Sequence, residues 1–193
     1  GGKTISLKLI GLLTAMAQYG LYVPAKKMTL GLSKHIKTSI GDMQSTDSGL
    51  STFGGEIKVV RQAMERAEEQ GLILIDELAR GTNPQEGFAI SYAIADYLLK
   101  KESITLITTH FDEVTQLEGI RHLQVIGLNK VDLEEIKKTE KNPLQKINQL
   151  MDYRLQEVSQ FREVPKDAIH IAHMMGLPEE ITKKAEKILE DGR

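Results

Sequence analysis

With 193 residues, 40% hydrophobic and 27% charged, the chain has the balance of a soluble globular domain with one real core and a modest appendage. A net charge of -2 argues against a major nucleic-acid surface on this segment, and the absence of cysteine excludes disulfides, thiolate zinc sites and cysteine nucleophiles. No apolar run approaches the length of a membrane span, so no membrane partner is expected and a cytoplasmic location fits.

The chain opens on Gly1-Gly2-Lys3-Thr4 rather than on Met, and it reads as truncated. Leu7 to Tyr19 is apolar on most faces, as a buried helix would be, and Gly20 and Pro24 stop it. Lys34 to Ile40 alternates weakly and suits a strand. Gly41 to Gly55 is rich in Gly, Ser, Thr and Asp and reads as a loop. Glu56 to Gln70 predicts a charged amphipathic helix ended by Gly71.

Leu72 to Ile75 is a run of branched aliphatics, the pattern of a strand covered on both faces, and Asp76 follows it directly. A loop leads to Pro84, and Gln85 to Lys101 predicts a helix. Ile104 to Thr108 and Leu123 to Leu128 are further short aliphatic strands. Strands alternating with helices predict an α/β sheet of largely parallel strands. Lys130 to Gln149 is rich in Lys, Glu and Asn and reads as an exposed insertion or hairpin. Tyr153 to Val158 suits a returning strand. Pro165 to Met175 and Pro178 to Glu190 predict two helices with Gly176 between them. The domain division expected is 1–160, with a helix-turn-helix-like tail at 161–193.

Four short segments carry chemistry. Gly1-Gly2-Lys3-Thr4 matches the second half of a phosphate-binding loop, G-x-x-x-x-G-K-S/T. In that loop Lys3 reaches the β- and γ-phosphates, Thr4 ligates Mg²⁺, and the following helix turns its N-terminus to the anion. The plainer reading is a glycine-rich helix start. Leu72 to Glu77 is a buried strand ending in two carboxylates, the Walker B pattern. Asp76 would hold the Mg²⁺ shell, and Glu77 would orient or deprotonate water. Otherwise the strand simply ends in solvent-facing acids.

His110 closes Thr108-Thr109-His110 at the end of the next strand. Ligands of open parallel sheets bind at that edge, where a His can sense a γ-phosphate. Ser51 and Thr52 precede a helix. They read as an N-cap with Glu56 downstream, as a second helix N-terminus for phosphate, or as both.

Together these residues resemble the ATPase domain of the MutS family, a branch allied to ABC-type ATPases. The resemblance runs through nearly the whole chain: GGKT with the helix after it, HIKTSIGDMQSTDSGLSTFGGEI, LILIDELARGTNPQEG, ITTHF, YRLQEV and IAHMMGLPEEITKKAEKIL. It implies a P-loop NTPase fold, with a mostly parallel sheet flanked by helices and a small C-terminal helix-turn-helix.

It also implies ATP and Mg²⁺ as ligands and hydrolysis of ATP to ADP and phosphate. Gly1, Gly2, Lys3, Thr4 and Gln44 would line the nucleotide, Thr4 and Asp76 would hold the metal, and Glu77 and His110 would serve catalysis. Two such domains would pack face to face as a homodimer or a MutS-like heterodimer, braced by the C-terminal helices, and Ser51 would touch the partner's nucleotide in trans. His170 and His173, on that tail, read as exposed helix residues.

DNA would be bound by upstream domains that this chain lacks, in mismatch repair or recombination control. Gln44 departs from the Asp-rich segment usual in mismatch-repair members. Pro84-Gln85-Glu86-Gly87 looks closer to the second bacterial branch, whose members act in recombination control or on ribosomes. The rival expectation is ATP-driven remodelling of a protein partner, such as reactivation of a cobalamin-dependent aminomutase, without DNA. A chain beginning at Gly1 lacks the earlier backbone N–H groups of the phosphate loop, so by itself it is expected to bind ATP poorly.

Overall fold

Leu72–Ile75 forms β2, and all four of its residues are buried. In a computed structural model of the chain, which describes residues 2–41, 52–79, 81–127, 149, 151–158 and 168–191, this strand is the middle of a parallel sheet. β1 (Ile36–Ser39) lies on one side and β3 (Ile104–Ile107) on the other. Ile36 and Ile104 both pair with Leu72, and Ser39 and Ile107 both pair with Ile75.

Alternation along β2 assigns its side chains to two cores. Ile73 and Ile75 face Val60 and Ala63 of α2 (Thr52–Met64), Ala67 just beyond it, and Leu98 of α3 (Pro84–Leu99). Leu72 and Leu74 face Leu7 of α1 (Lys3–Gln18). With helices on both faces, a continuous aliphatic run is the stable choice. Each fully buried Ile or Leu contributes roughly 1.5–3 kcal/mol relative to an exposed one. α3 starts where its sequence dictates: Pro84 occupies the first turn, and the Asn83 side chain accepts the Gln85 N–H at 2.9 Å.

Both boundaries of α2 differ from the sequence expectation. Residues 52–55 are the first turn of α2 rather than loop, because Phe53 packs on the core under the sheet. The helix then stops at Met64 instead of Gln70. The backbone must turn there so that Ala67 is buried and Gln70 can accept the Lys34 N–H at 2.8 Å. The carbonyl of Arg66, released from helical bonding, lies 2.9 Å from the buried ring of His35.

The chain forms two compact units, 1–121 and 122–193. The division expected at 160/161 falls outside the described residues, as does most of 130–149. In the second unit β4 (Leu123–Gly127) pairs antiparallel with β5 (Asp152–Glu157), Val125 opposite Leu155. Leu123 to Gly127 is therefore not a further strand of the parallel sheet. A parallel neighbour is usually reached by a crossover α-helix. The stretch 108–122 between β3 and β4 holds only a short 3-10 helix, Asp112–Gln116, and β4 takes β5 as an antiparallel partner instead.

α4 (Ala168–Met174) and α5 (Glu179–Asp191) follow. Between them Gly176 takes φ 91°, a left-handed cap that side-chain-bearing residues resist, and Leu177 N–H closes onto Ala172 at 3.0 Å. Among the described residues no helix is long and apolar enough to cross a membrane.

Candidate active site

The parallel ladder continues one residue past β2. Asp76 N–H donates to Ser39 O at 2.9 Å, and Thr108 N–H donates to Ile75 O at 2.9 Å. Asp76 is thus fixed at the carboxyl edge of the sheet before the chain turns away. The Thr108 hydroxyl donates to Asp76 Oδ1 at 2.6 Å and accepts the Glu77 N–H at 2.9 Å. Glu77 N–H also reaches Thr108 O at 3.1 Å. One side chain of β3's end therefore orients both acidic residues that end the Walker B pattern. Its bond to Asp76 has the length of a charge-assisted hydrogen bond.

Lys3 reaches the same edge from the other side of the sequence. It is the first residue of α1, after Gly2 in a left-handed conformation (φ 94°), and its ammonium donates to Thr109 O at 2.8 Å. The first turn of α1 carries no acidic residue, so the positive end of the helix dipole is uncompensated there. Thr4 follows in that turn, half-buried. His110, exposed, comes next after Thr109, its ring 4.4 Å from that of Phe111. Phe111 is itself set edge-on to Phe88 of α3 at 6.2 Å, and its N–H donates to Thr109 Oγ1 at 3.0 Å. Lys3, Asp76, Glu77 and the root of the His110 turn are thus assembled around Thr108 and Thr109. Gly1, Gln44 and Ser51 lie outside the described residues.

The backbone after Asp76 is strained. Glu77 has φ 46° and Ala79 φ 63°, left-handed values that cost a residue bearing Cβ of order 1 kcal/mol or more. Neighbours hold it there. Glu56 of α2 accepts the Ala79 N–H at 2.5 Å, and buried Ser91 of α3 donates to Leu78 O at 3.1 Å. A Cβ on Gly87 would come within 2.9 Å of Ala79 O, so only glycine lets α3 approach this turn so closely. Burial pushes the Glu56 carboxyl above its ordinary value, and the Ala79 N–H works against that rise. A recess of about 370 Å³ on the α1 face, lined by Gly11, Leu12, Ile36, Ile40 and Leu74 among others, contains none of the candidate site residues.

This geometry coincides with a family match. The model for MutS domain V covers residues 1–191. The chain belongs to the MutS family. Domain V is that family's ATP-binding ATPase domain.

Among its relatives is Endonuclease MutS2 of Thermus thermophilus, 37% identical over 196 residues, all of this chain and 24% of the relative. Endonuclease MutS2 of Lactobacillus helveticus is 34% identical over 99% of the chain and 22% of the relative. That of Shouchella clausii is 42% identical over 72% of the chain and 18% of the relative. The chain spans about a quarter or less of the length of these relatives, and they belong to the second bacterial branch of the family.

Two residues of this MutS domain V carry more of the geometry than their sequence suggested. Thr108 had a signal, since a hydroxyl directly after an aliphatic strand sits at the ligand edge of a parallel sheet. Glu56 had none that pointed to the site. Near a helix start it looks like a capping residue, yet it bonds 23 residues away.

Proposed function

We propose that this MutS domain V hydrolyses ATP at the carboxyl edge of its parallel sheet and drives a conformational change in a dimer. The observation that carries the reading is the convergence of the Lys3 ammonium on Thr109 O at 2.8 Å with the Thr108–Asp76 bond at 2.6 Å. A cation, a carboxylate and a helix N-terminus then share one edge.

In this reading Gly1, Gly2 and Lys3 surround the phosphates. Lys3 exchanges its carbonyl partner for phosphate oxygens, which form the stronger, charge-assisted bond. The donor set fits Mg²⁺: Thr4 and Asp76 offer the hard oxygen ligands that this ion prefers, and it would offset charge on the phosphates. Thr108 keeps the Asp76 carboxylate oriented for that role. Glu77 holds the attacking water and takes its proton, and His110 hydrogen-bonds the γ-phosphate. Gln44 lines the nucleotide, and Ser51 reaches the partner's nucleotide in trans. The helices α4 and α5, in the tail at 161–193 that follows the ATPase domain at 1–160, brace the partner domain.

The relatives named MutS2 and the Pro84-Gln85-Glu86-Gly87 segment favour action on branched DNA in recombination control over mismatch repair. DNA is held by parts of the protein other than this domain, in keeping with its net charge of -2.

The test is nucleotide binding and single-turnover hydrolysis by the intact protein with Asp76→Asn. The reading requires loss of Mg²⁺-dependent turnover. Unchanged Mg²⁺-dependent hydrolysis would overturn it.

A further inference from the structure

The catalytic reading leaves the Glu56 carboxylate without a task. It belongs to α2, whose first turn includes Thr52 and Phe53, and its bond does not close back on its own helix. It crosses instead to the backbone N–H of Ala79 at 2.5 Å. Ala79 is two residues after Glu77, and both are left-handed. Burying a carboxylate beside an apolar cluster is unfavourable unless it makes bonds the fold needs, and Glu56 is partly desolvated, with its carboxyl raised.

The turn it holds has little freedom elsewhere. Leu78 is buried and its carbonyl takes the Ser91 hydroxyl. The Ala79 carbonyl lies against Gly87. Two residues on, a Cβ on Gly81 would meet the Phe53 backbone nitrogen at 3.4 Å, so the same loop runs along the first turn of α2. A shift of α2 by a fraction of an ångström would therefore pull on Ala79 N–H first, and the Glu77 backbone lies two bonds of chain rotation away.

We infer that Glu56 is a positioning residue that latches the signature helix α2 to the turn after the Walker B strand, so that the placement of Glu77 depends on the placement of α2. The inference rests on the ATPase reading above and adds a positioning element to it: a displacement of α2 is passed through Glu56 to the turn that carries the water-activating carboxylate. The bond Glu56 makes is to the Ala79 backbone. It acts through backbone geometry, which a misplacement of about 1 Å is enough to upset.

The test compares Glu56→Ala, Glu56→Gln and Glu77→Gln in the intact protein. The readouts are kcat and KM for ATP, the thermal midpoint, and amide hydrogen exchange at Ala79. Glu56→Ala should lower kcat by about tenfold, the loss of one charge-assisted hydrogen bond, with KM changed less than about twofold. The Ala79 amide should exchange faster in that variant. Glu56→Gln keeps an acceptor oxygen and should restore most of both.

Wild-type kcat and unchanged Ala79 exchange in Glu56→Ala, beside an inactive Glu77→Gln, would overturn the latch and leave the ATPase reading standing. Full turnover by Glu77→Gln would overturn the ATPase reading itself. Equal loss of kcat in Glu56→Ala and Glu56→Gln, tracking a lowered thermal midpoint, would assign Glu56 a merely structural role and also overturn the latch.

Discussion

The two compact units use the same kinds of residue to different ends. In 1–121 the strand Leu72–Ile75 is covered on both faces, with Ile73, Leu74 and Ile75 fully buried. In 122–193 the paired strands stay open: Leu123, Tyr153 and Leu155 are 43%, 44% and 41% exposed. The first arrangement fixes backbone and side chains on all sides, and it is there that the acidic pair, Lys3 and the His110 turn are held. A chemical site needs groups fixed to fractions of an ångström, and a sheet packed on both faces supplies that rigidity. The described residues of the hairpin and of α5 keep much of their apolar surface exposed.

Substitutions in the two units test this contrast. The largest effect is expected for Glu77→Gln, which should leave ATP affinity near wild type while lowering hydrolysis by about 10²–10⁴-fold. Equilibrium nucleotide binding and single-turnover hydrolysis measure the two separately. Normal hydrolysis would remove the chemistry from this sheet edge.

Next is Ile73→Ala, which opens a cavity between the sheet and α2. It should cost about 3 kcal/mol in denaturant unfolding. Thr108→Val keeps the shape of the side chain but removes the donor to Asp76 and the acceptor for Glu77 N–H. About 2 kcal/mol of stability should go, together with part of the turnover. Asn83→Ala removes the cap of α3 and should cost about 1 kcal/mol, with turnover nearly unchanged. Leu155→Ala in the open hairpin should cost less than about 1 kcal/mol. If it cost as much as Ile73→Ala, the contrast between a closed and an open unit would fail.

Much of the first unit was legible in advance because its signals are local. Leu72 to Ile75 is apolar at every position, short, and followed at once by two acids, the pattern of a strand covered on both faces. Asn83-Pro84 announces the start of α3 by its own chemistry, and in the second unit Gly176 likewise announces the turn between α4 and α5. The boundaries of α2 were not legible. Gly54 and Gly55 argue locally for loop, and only the burial of Phe53 against the core makes them helix. The pairing of β4 was equally hidden, because an aliphatic strand of five residues reads the same whether its neighbour is parallel or antiparallel.

The site divides in the same way. The candidate groups can be read from short stretches of sequence: a Lys and a Thr at a helix start, two acids after a buried strand, a His after the next. Each belongs to a motif of a few consecutive residues, and the spacing within the motif is fixed by local backbone geometry. Only the tertiary structure decided that Thr108 would orient both Asp76 and Glu77, that Lys3 would reach Thr109 across 106 residues of sequence, and that Glu56 would hold Ala79 from another helix. Those contacts depend on strand register and helix placement, which are set by how the two cores close around β2 and leave no trace in any short stretch of the chain.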